Sequence, residues 1–133
     1  MPTANLNKER IVLNDGLDSI VVVQALSQIP GGRTLDVSGL DESVEAVKSG
    51  HILVIDEKTK AVSPLGITSG KYVSLPSGKK YYGVLKCTVL KNDPRAAIIT
   101  AGQINAAASP APVTDAIKEG LPRIEFLYET AAE

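Results

Sequence analysis

The sequence predicts a mainly β protein, a small barrel-like domain with one or two short helices and an extended N-terminal arm. Three observations support this prediction. Short runs of β-branched and apolar residues recur along the chain, turn signals rich in Gly, Pro, Asn and Asp separate them, and the helix signals are brief. We therefore expect a compact β-rich domain.

The chain has 133 residues, which is the usual size of one domain. We divide it into an arm with the first strand (1–30) and a β-rich domain (31–133). Only four Tyr and one Phe are present and there is no Trp, so the core must consist mainly of aliphatic side chains. Such a thin core favours further burial against other copies, because apolar burial is the main stabilising term. Oligomerisation is expected.

Cysteine and hydropathy patterns limit where the protein folds. Cys87 is the only cysteine, which excludes an intramolecular disulfide and fits a reducing compartment. The first ten residues are polar and lack the apolar run of a secretory signal. No apolar stretch approaches the roughly 20 residues of a membrane-spanning helix. We expect a soluble protein that is made in the cytoplasm and has no membrane partner.

The first strand is predicted at Ile20–Leu26, after the polar start and the turn signal Asn14-Asp15-Gly16. This run is β-branched and uncharged. An unpaired strand of this kind promotes aggregation, so it must join a sheet or pair with a neighbouring chain. Pro30-Gly31-Gly32 ends it. The next segment, Asp41–Lys48, is either a helix of barely two turns or an irregular connection whose valines enter the core.

Two hairpins are predicted in the middle of the chain. The first joins His51–Asp56 to Ala61–Pro64. The second joins Lys71–Leu75 to Lys80–Leu90 through Pro76-Ser77-Gly78-Lys79, where Pro fixes φ and Gly allows a positive φ. Alternation in Tyr81–Val89 places the odd positions inward, which makes Cys87 a core residue.

The last third contains two strands and one helix. Asn92–Arg95 is a turn, and the following strand Ala96–Ala101 ends at Gly102, where we expect a bulge or a close backbone approach. Val113–Gly120 is predicted as a short helix with Thr114 as its cap and Gly120 closing it. The final strand, Arg123–Glu129, is amphipathic. Its inward side chains are expected to be Ile124, Phe126 and Tyr128.

No catalytic or metal-binding constellation emerges from the sequence. His51 is the only histidine and has no second ligand nearby in the chain, so a structural role is favoured. The stretch Gly66–Tyr72 has one residue too few between its glycines for a phosphate-binding loop, and Tyr72 stands where Ser or Thr is needed. The acid pairs Asp41-Glu42 and Asp56-Glu57 fit turns or helix starts. We expect a non-enzyme without cofactor, metal or small-molecule substrate.

Residues 61–95 are markedly basic. They contain six basic residues against the single acid Asp93, namely Lys71, Lys79, Lys80, Lys86, Lys91 and Arg95. Solvated lysines that discourage edge pairing explain this bias. The alternative is an oligonucleotide-binding β-barrel that uses segment 71–95, with Tyr72 and Tyr82 stacking on bases. We treat nucleic-acid binding as the minor alternative.

Three segments resemble head decoration proteins of tailed phages. They are Gly50–Asp56, Tyr82-Gly83-Val84-Leu85, and Asp93–Ala108 with its Gly-Gln-Ile-Asn-Ala-Ala step. The chain is similar to lambda-type head decoration proteins and to auxiliary capsid or head fiber proteins over roughly residues 46–128. The resemblance implies a β-tulip-like domain that forms a homotrimer on the outer surface of the virion and bridges subunits of the major capsid protein. It also implies synthesis in the cytoplasm of the host cell.

The resemblance further implies where the protein binds its partner. In similar proteins an N-terminal arm orders on the shell, and here Ile20–Leu26 is expected to add a strand to the capsid protein through backbone hydrogen bonds. The Ala- and Pro-rich segment 105–112 departs from the lambda type, and we expect it to form the second contact. The candidate partner-binding residues are Leu17, Ile20, Val22, Gln24, Asn105, Pro110 and Pro112.

Overall fold

The computed structural model describes residues 21–40 and 43–128. The strands in these ranges are β1 (Val22–Gln28), β2 (Arg33–Thr34), β3 (Ala46–Val47), β4 (Ile52–Asp56), β5 (Val62–Pro64), β6 (Ile67–Thr68), β7 (Lys71–Tyr72), β8 (Lys79–Leu85), β9 (Val89–Leu90), β10 (Arg95–Ala96), β11 (Ile98–Asn105) and β12 (Ile124–Leu127). A 3-10 turn (Ala106–Ala108) and helix α1 (Asp115–Gly120) follow β11. The mainly β class is confirmed.

One sheet organises the domain. Its strand order is β1-β11-β8-β4-β5, and β12 runs parallel to the second half of β11. The other neighbours in this sheet are antiparallel. The two outermost strands, β1 and β5, do not pair with each other, so over the described ranges the sheet is open rather than a closed barrel.

The sheet buries apolar side chains on both faces. In β4, Ile52 and Val54 belong to one hydrophobic cluster, whereas Leu53 and Ile55 belong to the other. The first cluster is covered partly by α1, and the second is covered by the short strands and loops that carry residues such as Leu35, Val47 and Ala96. Because successive side chains of a strand point to opposite faces, a strand buried on both faces reads as continuously apolar.

The first predicted hairpin is confirmed. Strands β4 and β5 pair antiparallel, with Ile55 opposite Val62 and Leu53 opposite Pro64. The connecting turn is held by the Asp56 carboxylate, whose Oδ1 accepts hydrogen bonds from the backbone N–H groups of Lys58 and Thr59 at 2.8 and 3.0 Å. Local side-chain bonds of this kind are why Asp recurs at turns.

The second predicted hairpin is wrong. Strand β7 pairs with β6 instead, and β8 pairs with β4 and β11. The turn itself is present, since the N–H of Lys79 donates to the carbonyl oxygen of Pro76 at 3.2 Å. Turn chemistry is local, but the choice of pairing partner depends on distant strands that offer more apolar contact.

Two side chains predicted to lie inward are exposed. Cys87 is exposed because β8 ends at Leu85, and the alternation does not continue through residues 86–88. Tyr128 is 67% exposed because β12 ends at Leu127 and Tyr128 takes a positive φ of 60°. Ile124 is buried and Phe126 packs against the first cluster, as predicted.

Segment Asp41–Lys48 is a connection, not a helix, in its described part. Residues 43–45 have no regular structure, Ala46–Val47 form β3, and the Val47 side chain is buried in the second cluster. The predicted cap and closure of the short helix are confirmed, since Thr114 Oγ1 accepts from the N–H of Ile117 at 3.3 Å and α1 ends at Gly120.

Candidate interaction surface

The β5 and β1 edges of the sheet differ in their capacity to bind another strand. Strand β5 has only three residues, and Pro64 lacks a backbone N–H. The N–H of Asp36 donates to the carbonyl oxygen of Val62 at 2.7 Å, so a neighbouring loop already uses this strand's backbone. Short length, Pro and a covering loop are the usual means of protecting an edge. The β5 edge is therefore protected.

The β1 edge is open in the described residues. β1 has seven residues and pairs only with β11 there, which leaves its outer side without a described partner. No charged residue and no Pro occurs from Val21 to Gln28, so two common protections against edge pairing are missing. Of the β1 and β5 edges, β1 is therefore the one that lacks these protections in the described residues.

Three register irregularities interrupt the β1–β11 pairing, and two of them are bulges that place an extra residue on β1. Val22 faces Ile104 and Gln24 faces Gln103, so Val23 is an extra residue on β1. The same two-against-one step occurs between Ala25 and Ser27, where Leu26 is the extra residue. A bulge redirects the side chain of its extra residue.

The redirected side chains are large, apolar and exposed. Val23 is 44% exposed and Leu26 is 68% exposed. By contrast, Val22 and Ala25 pack against the first cluster and hold β1 on the domain. The bulges therefore let one strand anchor to the core and also present two apolar groups to solvent.

A polar row lies beside these apolar groups. Gln24 is the register partner of Gln103, which in turn is the partner of Glu125 on β12. The Gln103 side-chain amide donates to Glu125 Oε2 at 3.2 Å. We call Val23, Gln24, Leu26, Gln103 and Glu125 the β1 surface. It combines apolar anchors with a polar rim, which is the usual composition of a protein interface.

The predicted partner-binding residues fall in different places. Leu17 and Ile20 lie outside the described residues. Gln24 is exposed on the β1 surface, whereas Val22 is half-buried against the core. Asn105 is a structural residue: its N–H donates to the Val21 carbonyl oxygen at 2.7 Å, and its Oδ1 accepts from the N–H of Ala107 at 3.1 Å.

Both prolines follow the 3-10 turn that Asn105 caps. The Pro110 ring packs near Gly50, and Pro112 is exposed. The structure thus brings Asn105 beside the start of β1 through Val21, while the two prolines form the connection from the turn to α1. No contact ties Pro112 to the β1 surface among the interactions of the described residues.

Sequence reasoning missed Val23 and Leu26. The candidates named on this strand were Val22 and Gln24, which a regular strand would place on one face, but each bulge shifts the following residues by one position. The available signal was the uncharged run itself, which identifies the strand but not which side chains point outward.

His51 and Tyr72 are satisfied inside the core. The His51 Nε2 donates to the Leu65 carbonyl oxygen at 2.6 Å, and the ring meets Tyr72 edge-on with centroids 5.5 Å apart. Burial lowers the pKa of His51, and burial raises the pKa of Tyr72 to about 12. In residues 21–40 and 43–128, no group of three His, Cys, Asp or Glu is placed to hold a metal ion.

The tyrosines of the basic segment are engaged with the protein itself. Tyr72 is only 7% exposed, and its hydroxyl accepts from the N–H of Ile52 at 3.3 Å. The Tyr82 ring lies 5.8 Å below the guanidinium of Arg33. Stacking on bases needs accessible ring faces. The geometry therefore gives little support to the oligonucleotide-binding alternative.

Comparisons with protein-family models, with curated proteins and with solved structures find no match to this chain. Among the described residues, no helix is long and apolar enough to cross a membrane.

Proposed function

We propose that this chain is a structural virion protein that binds the outer surface of a phage capsid and stabilises it by bridging subunits of the major capsid protein. One observation carries the proposal: over the described residues the sheet protects its β5 edge, whereas the long, uncharged β1 edge has no partner strand on its outer side. The resemblance of residues 46–128 to phage head decoration proteins is what favours the major capsid protein as the partner.

Binding at this edge would proceed by strand addition. A capsid segment would pair with the outer side of β1, giving the order β11, β1, capsid strand. Backbone hydrogen bonds provide affinity in this mode, and side-chain contacts provide specificity. Val23 and Leu26 would fill apolar depressions on the capsid protein, while Gln24 and Gln103 would form the hydrated rim.

The proposed assembly is a homotrimer. A protein that bridges several capsid subunits needs many modest contacts instead of one deep pocket, and linked copies multiply weak binding through effective concentration. Threefold symmetry gives each copy an equivalent β1 surface. Three such edges pointing at neighbouring capsid subunits would hold those subunits together.

Two measurements test this proposal. Light scattering on the purified protein measures its mass in solution, and cosedimentation with empty shells measures binding; the shells are assembled from the major capsid protein encoded in the same genome. The proposal expects a trimer that sediments with the shells at saturable stoichiometry. A strict monomer that stays in the supernatant with every shell tested overturns it.

A further inference from the structure

A pocket lies beside His51, the only histidine of the chain. Its volume is about 390 Å³, near the lower end of the range of roughly 300–1,000 Å³ that is typical of small-molecule sites. Several separate stretches between Gly39 and Pro110 form its wall, so the sequence contains no single motif that predicts it. The size of the pocket limits a ligand to a small molecule.

The wall of this pocket is mainly apolar. Val47 and Leu65 belong to the two buried clusters, so the pocket reaches down to the core. Lys48 is the only charged residue in the wall, which disfavours a ligand with a positive charge. A ligand must bring apolar surface to such a wall, because burying unpaired polar groups costs free energy. The apolar residues of the wall include Leu40, Val44, Ala46, Val47, Leu65 and Ile67.

His51 adds a hydrogen-bond acceptor to this apolar wall. The Leu65 carbonyl oxygen can only accept, so its 2.6 Å bond to Nε2 places a ring proton on that nitrogen. Burial lowers the pKa of His51 and thereby favours the neutral ring. In the neutral ring the other nitrogen, Nδ1, carries no proton and can accept a hydrogen bond.

This acceptor has no partner within residues 21–40 and 43–128. Ser109 Oγ is the one fully buried side-chain nitrogen or oxygen without a hydrogen bond in those ranges. Nδ1 is therefore not sealed in the core, although His51 is only 8% exposed, and the pocket is the opening that its ring lines. The Leu65 bond and the edge-on Tyr72 ring fix the imidazole, so the acceptor is in place before a ligand arrives.

We propose that this pocket binds a small neutral aromatic molecule with one N–H or O–H group, which donates to Nδ1 of His51 while the ring contacts the apolar wall. Indole and phenol are molecules of this class. An aromatic ring offers a large rigid apolar surface with a single polar group. Val23 and Leu26 do not line the pocket, so the site is separate from the β1 surface and does not depend on capsid binding.

Nuclear magnetic resonance of the full chain, labelled with the heavy nitrogen isotope in histidine, tests the proposal. Only His51 contributes ring-nitrogen signals. Indole should bind with a Kd of about a millimolar or tighter and shift the Nδ1 signal more than the Nε2 signal. N-methylindole lacks the donor and leaves Nδ1 unpaired, so it should bind at least about tenfold more weakly. Equal affinity for the two, or no binding of indole or phenol at their solubility limits, overturns the proposal.

Two variants that fill the pocket test its location. Ala46→Leu and Val44→Phe enlarge side chains of the wall, whereas Ala107→Leu enlarges an exposed side chain outside it. The filled variants, once shown to fold by circular dichroism, should bind indole at least about tenfold more weakly than wild type. Ala107→Leu should bind indole as wild type does. Undiminished indole binding by either folded pocket variant overturns the proposal.

Discussion

The carbonyl oxygen of Gln24 on β1 lies against the Cα of Gly102 on β11, in the space that a Cβ would occupy. The Cα of Ala25 is also close, 3.2 Å from the ideal Cβ position. Gly102 has a φ of 152°, a backbone conformation that side chains rarely adopt. The close packing of β1 against β11 therefore depends on the absence of a side chain at residue 102.

Gly102→Ala should displace β1 and lower the free energy of unfolding by about 2 kcal/mol, because it combines backbone strain with a backbone clash. Gly39→Ala is the matched control, since Gly39 has open space around it and no positive φ. It should change stability by less than about 0.5 kcal/mol. Chemical denaturation measures both, and equal effects would contradict the close contact.

A second glycine makes room for an aromatic ring. The Tyr81 ring fills the position where Gly120 would carry a Cβ, at the end of α1. Gly120→Ala should therefore destabilise the protein although Ala is the better helix former. In the Tyr81→Ala background the same change should cost at least about 1 kcal/mol less, because the clash is gone. An additive double-mutant cycle would show that the ring and Gly120 are independent.

Local signals in the sequence predicted the local structure well. The Asp56 turn and the Thr114 cap each depend on a few adjacent residues, and both are present. The close backbone approach predicted at Gly102 is present too, but it comes from the distant Gln24, and β11 continues through Gly102 to Asn105 instead of ending there. Strand pairing was harder to predict, because β8 pairs with β4 and β11, which are distant from it in sequence. Nothing in the turn Pro76–Lys79 distinguishes a hairpin from a turn between strands that do not pair.

Leu85 and Cys87 were both predicted to lie inward, but they differ in burial. Leu85 is fully buried in the second cluster, whereas Cys87 is exposed beyond the strand. Leu85→Ala should lower the free energy of unfolding by about 2–5 kcal/mol through the cavity that it leaves. Cys87→Ser should change it by less than about 0.5 kcal/mol. If Cys87→Ser lowered the free energy of unfolding as much as Leu85→Ala does, Cys87 would have to be buried in the core.

Stability should fall with acidification below about pH 6.5 because of His51. Burial lowers the pKa of this side chain, so the unfolded chain binds a proton that the folded protein resists. The stabilising contribution is complete above the unfolded value of 6.5 and is lost as the pH falls below it. Asp36 and Asp56, whose pKa values are lowered from 3.8, act only at more acidic pH.

The measurement is the free energy of unfolding at about pH 7.5 and about pH 5.5, compared with that of His51→Gln. Wild type should lose stability over this range, and the variant should lose much less, since Gln does not titrate. Gln can still donate to the Leu65 carbonyl oxygen, so the variant is expected to fold. Parallel curves for the two proteins would show that another group controls the acid response.

The candidate site was only partly accessible from sequence. The uncharged run from Ile20 to Leu26 identified the strand, but its place at the edge of the sheet, among the described residues, depends on which strands pair elsewhere. The exposure of Val23 and Leu26 depends on two bulges that follow from the fit of β1 to β11. The edge position and the bulges are properties of the folded sheet, and the residues of the strand alone do not predict them.

The most direct test of the capsid-binding account is cosedimentation of the double variant Val23→Lys, Leu26→Lys with empty shells of the cognate major capsid protein. Ile67→Lys is the control, because Ile67 is also an exposed apolar residue but lies on β6. The account predicts that wild type and Ile67→Lys bind alike, while the double variant, still folded by circular dichroism, loses at least about a hundredfold in affinity. Undiminished binding of the folded double variant would contradict the assignment of the β1 surface as the capsid-binding site.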